Sequence, residues 1–139
     1  MKPAAEIKVL VVEDDPMNAL LFRRLLERRC GFQVTVTESA EELVGMVRGG
    51  EVAMVLMDVS LANTTHQGRS VNGVDLCRLL KSDPATCAVP VVLATAHAMR
   101  GDSEELLRES GADDYISKPI VDYGAFLEQM RRHTRGAAA

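Results

Sequence analysis

Two unbroken apolar runs in this chain end in acids: Val9-Leu10-Val11-Val12 before Glu13, and Ala53-Met54-Val55-Leu56-Met57 before Asp58. Runs of that kind read as strands buried on both faces, as at the centre of a parallel sheet. Three further segments read as strands: Phe32 to Thr37, Pro90 to Thr95, and the short Asp114-Tyr115-Ile116-Ser117. Amphipathic helices fill the intervals. In the first, Asp15 stands as N-cap and Pro16 at the first helical position; Leu20, Leu21, Leu25 and Leu26 form the buried stripe, and Gly31 stops it. Ser39 and Glu42 have capping-box spacing at the head of the second helix, which Gly49-Gly50 closes. A long polar loop, Ser60 to Asn72, precedes a third helix from about Gly73 to Ser82, stopped before Pro84. A fourth runs through Leu106-Leu107 to Gly111. The fifth spans Tyr123 to about His133, with basic residues in its final turn. This alternation predicts an α/β fold: a doubly wound, five-stranded parallel sheet with helices on both faces.

Length and composition narrow the classes. The 139 residues suit one domain, 1–139, with its core over about 7–134 and a short disordered C-terminal tail. A formal charge of −4 supplies no basic face for nucleic acid. No apolar run approaches the ~20 residues needed to cross a bilayer. The segment Met1-Lys2-Pro3-Ala4-Ala5-Glu6 lacks the apolar stretch of a signal peptide, so no membrane association is expected. Cys30, Cys77 and Cys87 are odd in number and without close metal spacing, as suits reduced thiols in the cytoplasm. Cys77 reads as a small core residue rather than a redox thiol. His66, His97 and His133 show no ligand spacing either.

Where the charged residues fall changes the picture. The first strand ends in Glu13-Asp14-Asp15, the third in Asp58 and the fourth in Thr95, while Lys118 follows the fifth. Parallel strands deliver all of these to the carboxyl edge of the sheet, where open α/β folds keep their ligands. Asp15 is taken up as helix cap. Three carboxylates, a hydroxyl and an ammonium remain, and charge so concentrated needs a cation, a proton or a function. Phosphoryl transfer accounts for each type. A carboxylate oxygen can attack phosphorus and hold the group as an acyl phosphate. A hard divalent cation and a lysine neutralise the charge, and a hydroxyl hydrogen-bonds a phosphoryl oxygen. Magnesium, which prefers a few oxygen ligands plus water, suits the cluster better than zinc.

The segments Val12-Glu13-Asp14-Asp15, Leu56-Met57-Asp58, Ala94-Thr95-Ala96 and Tyr115-Ile116-Ser117-Lys118-Pro119 resemble those of the receiver (response-regulator) domain of two-component signalling, over residues 7 to 134. The resemblance implies a flavodoxin-like (βα)5 sheet of order 2-1-3-4-5. It implies Asp58 as phosphoacceptor, and Mg2+ or Mn2+ held by Glu13, Asp14, Asp58 and the backbone carbonyl of Ser60. Thr95 would be the switch hydroxyl, with Ala96 beside it at the phosphate, and Lys118 the phosphate-binding lysine. Tyr115 would be the aromatic that rotates on activation, and Pro119 a candidate for a cis peptide bond. The phosphodonor would be a histidine kinase or a histidine phosphotransfer protein.

Only Thr134 to Ala139 follow the last helix, so a stand-alone regulator is expected, signalling through an unidentified effector protein. It would be a signalling phosphoacceptor rather than an enzyme, with self-catalysed phosphotransfer and dephosphorylation. Two features depart from the family pattern: Ala62 stands where a proline is common, and Gly73 comes about seven residues later than usual, although extra loop length costs little. One alternative is a magnesium-dependent aspartyl-phosphate hydrolase, which would usually carry a second acid where Ser60 stands. Another is a degenerate receiver serving only as an interaction module. The long loop reads either as a flexible flap bringing His66 and Arg69 toward the phosphoryl oxygens or as a tolerated surface insertion.

Overall fold

The computed structural model describes residues 3, 6–61, 64–96 and 102–138. Ala62 and His97, noted in the sequence, lie outside the described residues. The chain begins with β1 (Lys8–Val12), α1 (Pro16–Cys30), β2 (Gln33–Thr37), α2 (Ala40–Arg48) and β3 (Val52–Asp58). Two short strands follow, β4 (Thr65–His66) and β5 (Arg69–Ser70), and then α3 (Gly73–Lys81) and β6 (Val91–Thr95). The remaining elements are α4 (Asp102–Ser110), β7 (Asp114–Ser117) and α5 (Tyr123–Ala138). The main sheet is parallel throughout, in the order β2-β1-β3-β6-β7. With β4 and β5 set aside as a separate hairpin, this is the 2-1-3-4-5 order of the flavodoxin-like fold.

Strand periodicity divides the core in two. Val9, Val11, Met54, Leu56, Val92 and Ala94 face α1 and α5, whose Phe22 and Phe126 stack with ring centroids 5.9 Å apart. Leu10, Val12, Val55, Met57, Val91 and Leu93 face the other way, toward α2 and α3. Both sets are buried, which explains why these strands read as continuous apolar runs. Cys77 packs in the second layer, where burial pushes its thiol up to about 11, as befits a core residue. No helix among the described residues is long and apolar enough to cross a membrane.

Three expectations need correction. Leu20 is 42% exposed, and the inward stripe of α1 is Ala19, Phe22, Leu25 and Leu26. At 100° per residue Leu20 lies nearly opposite Phe22. The Ser60–Asn72 segment, expected as a polar loop throughout, contains a hairpin: Thr65 and His66 pair with Ser70 and Arg69 across a Gln67-Gly68 turn, both residues having positive φ (52° and 81°). Two successive left-handed residues are what a tight two-residue hairpin requires. The last helix, expected to end at about His133, continues to Ala138, and Thr134 within it is 2% exposed and donates to Met130 O.

Candidate functional site

Parallel register brings the strand ends into one row. Val12 pairs with Met57, Asp58 with Ala94, and Thr95 with Ser117. Glu13, Asp58, Thr95 and Lys118 therefore meet at the carboxyl edge. The first three are 4%, 4% and 5% exposed, while Asp14 and Lys118 are half-buried. One ligand oxygen from each of Glu13, Asp14 and Asp58 lies within 4.8 Å of the other two. Lys118 Nζ donates to Asp58 Oδ1 at 2.8 Å and sits 3.6 Å from Glu13 Oε1. The Ser60 N–H also donates to Asp58 Oδ1, at 3.3 Å. Asp15 caps α1 through Met17 N–H, and its own N–H reaches Glu13 Oε2 at 3.4 Å.

This edge is electrostatically unfinished. Burial, followed by the neighbouring Asp58 carboxylate, pushes Glu13 up to about 7, against the opposing pull of Lys118. Glu13 Oε1 is buried and makes no hydrogen bond. A buried carboxylate oxygen with no hydrogen bond, only the longer ion pair to Lys118, beside two more carboxylates fits a hard divalent cation. Burial opposes the charge on Lys118, but the Asp58 hydrogen bond and both carboxylates outweigh it and raise the ammonium above its ordinary value. Lys118 therefore stays cationic at neutral pH.

The proton on Glu13 has a consequence for metal binding. The folded carboxyl holds its proton more tightly than an ordinary one, so a proton competes with a cation up to about pH 7 rather than 4.5. Affinity for Mg2+ is expected to fall as pH drops through that value. Calorimetric titrations on either side of neutrality check this, and a flat profile would contradict it.

The remaining sequence candidates fall around this row. Ala96 is exposed immediately after β6, Ser60 is exposed two residues past Asp58, and the Lys118–Pro119 bond is cis. Tyr115 is half-buried on β7, its carbonyl accepting Gln129 Nε2 at 2.8 Å. His66 does not approach the row. It lies between α2 and α3 with Val44, Arg48, Leu79 and Asp83, and Arg69 is exposed on the hairpin. His133 pairs with Asp114 at 2.8 Å.

Gly73 matters for a reason that its place in the sequence does not show. Its N–H donates to Val59 O at 2.9 Å, and a Cβ there would fall on the Asp58 carbonyl. Asn72 and Asp75 form a reciprocal capping box that fixes α3 at that point, a spacing that could have marked the helix start.

Carboxylates for a hard cation, with a lysine and a hydroxyl at the same strand ends, make a cleft suited to phosphoryl chemistry. Comparison with known proteins agrees. The model of the response regulator receiver domain matches residues 9–131. The polar-differentiation response regulator DivK of Brucella ovis is 38% identical over 125 residues, covering 90% of this chain and 94% of DivK. The receiver domain of the sensor histidine kinase PA1611 from Pseudomonas aeruginosa, solved with a magnesium ion coordinated in its active-site cleft, is 25% identical with a TM-score of 0.74. That match covers 92% of this chain and 97% of the PA1611 domain. The BeF3-activated receiver domain of Klebsiella pneumoniae RstA gives 26% identity and a TM-score of 0.74, covering 92% and 98%. The chain belongs to the response regulator receiver domain family, whose members are signalling phosphoacceptors.

Proposed function

We propose that Asp58 accepts a phosphoryl group from the phosphohistidine of a histidine kinase or histidine phosphotransfer protein, in the cytoplasm. Mg2+, or Mn2+, would be held by Glu13, Asp14, Asp58 and the Ser60 carbonyl. The observation that carries this reading is the Lys118 ammonium 2.8 Å from Asp58, against a cluster of three carboxylates. The magnesium in the PA1611 receiver domain supports it. An Asp58 carboxylate oxygen attacks phosphorus, the donor's P–N bond breaks with the electron pair going to the ring nitrogen, and the ring takes up a proton from water to leave as imidazole. The cation, when bound, offsets the charge of the transferring group. Lys118 turns from Asp58 to the phosphoryl oxygens without leaving the pocket.

The phosphoryl group adds charge and acceptor oxygens beside Thr95. Thr95 moves toward it, Tyr115 moves inward behind, and the face made by α4, β7 and α5 changes for an effector protein to read. Water attacking the same acyl phosphate resets the chain. A small acyl phosphate is expected to label the protein only when Mg2+ is present, and equal labelling in chelator would sink this reading. Thr95→Ala is expected to accept phosphate yet lose most of the amide-exchange change over α4 and β7. A full response in that variant would contradict the coupling.

A further inference from the structure

The connector between β3 and α3 starts beside the phosphoacceptor and then folds away from it. It closes at its base through Gly73 N–H to Val59 O at 2.9 Å, and internally through Val71 N–H to Thr64 O at 3.0 Å. Its hairpin lies along α2, with His66 seated between α2 and α3. Leu61 and Val71 belong to the core layer beneath. An insertion so anchored cannot swing freely.

Among its described residues the most buried polar one is Thr64, 3% exposed, whose hydroxyl donates to Glu38 O at 2.8 Å. Glu38 lies in the turn between β2 and α2. In that turn Ser39 N–H donates to Thr37 Oγ1 at 3.0 Å, and Thr37 O accepts the N–H of Glu13 at 3.2 Å. Glu13 carries the buried carboxylate oxygen without a hydrogen bond. A short run of hydrogen bonds thus joins the insertion to the backbone of the acidic cluster. A buried hydroxyl strongly favours keeping an acceptor, so the turn and the connector move together.

We propose that Thr64 is a positioning residue for the acidic cluster, tying the β3–α3 connector to the β2–α2 turn and so fixing the backbone of Glu13. The proposal rests on the cation site put forward above. A surface insertion merely sealed by one polar contact would leave Glu13 indifferent to that hydroxyl.

Thr64→Val keeps the shape and removes the hydroxyl, and Thr64→Ser restores it. Thr64→Val is expected to weaken Mg2+ binding by about threefold to tenfold, at or below the range for lost outer-shell partners. Amide exchange at Glu13 and Ser39, followed by NMR without cation, is expected to quicken in Thr64→Val and return toward the wild-type rate in Thr64→Ser. Unchanged exchange at Glu13, unchanged affinity, or a serine variant that behaves like the valine one would each overturn the proposal. A wild-type chain that binds no Mg2+ would remove the cation site itself, and exchange at Glu13 would then decide whether the tie exists. Should Thr64→Val fail to fold, Thr64→Ala set against Thr64→Ser makes the same comparison.

Discussion

Asp58→Asn is expected to take up no phosphoryl group from a small acyl phosphate in the presence of Mg2+, where the wild-type chain approaches one group per molecule. The amide has nearly the shape of the carboxylate, so the end of β3 and its packing should survive. The nucleophile does not, because a neutral amide oxygen is a poor attacker at phosphorus. Glu13 and Asp14 remain in the same cleft, which makes the test discriminating. Glu13 is buried, and on the proposed reading its carboxylate is taken up by the cation. Lys118 Nζ lies 2.8 Å from Asp58, placed to receive the incoming oxygens, against 3.6 Å from Glu13. Intact-mass spectrometry reads the outcome, and full labelling of Asp58→Asn would place the nucleophile elsewhere.

Gly73→Ala is expected to destabilise the fold by about 3 kcal/mol, the upper end for overpacking a core. Two effects oppose one another. Alanine is the better helix former, by about 1 kcal/mol in a helix interior and less at this first position. The added Cβ, however, would lie 2.9 Å from Asp58 C and from Val59 Cα, and it would fall on the Asp58 carbonyl oxygen as well. These are backbone atoms of the strand end, with no rotamer to swing aside. Either α3 retreats and loses the Gly73–Val59 hydrogen bond, or the backbone of Asp58 shifts within the cleft. The variant should therefore lose cation affinity together with stability. Urea unfolding measures the first effect, and a midpoint equal to that of the wild type would refute the steric argument.

The sheet was readable because its central strands are buried on both faces and end in acids. Val52 to Met57 followed by Asp58 carries the strand and its acidic terminus in one segment. The same logic placed Glu13, Asp14, Thr95 and Lys118, since a parallel order aligns the carboxyl ends. Less visible was anything that depends on a partner distant in sequence. Leu20 is apolar like its neighbours, and only the packing of α1 against the sheet shows that it points outward. The hairpin escaped notice because each strand is two residues long and Gln67 is not a residue that announces a positive φ. Thr64 looked like any loop threonine; its burial is set by Glu38, 26 residues away. Gly73 could be aligned with a family pattern, but its physical reason is the Asp58 carbonyl lying against it.

The acyl phosphate can be mapped directly. Borohydride reduction of a phosphorylated aspartate leaves homoserine, which peptide mass spectrometry locates by residue. Treating the wild-type chain with a small acyl phosphate and Mg2+, then reducing it, should convert position 58, with conversion lost when the metal is chelated. Homoserine at Asp14 or another carboxylate in place of Asp58, or equal conversion without metal, would contradict the assignment of Asp58 as the phosphoacceptor.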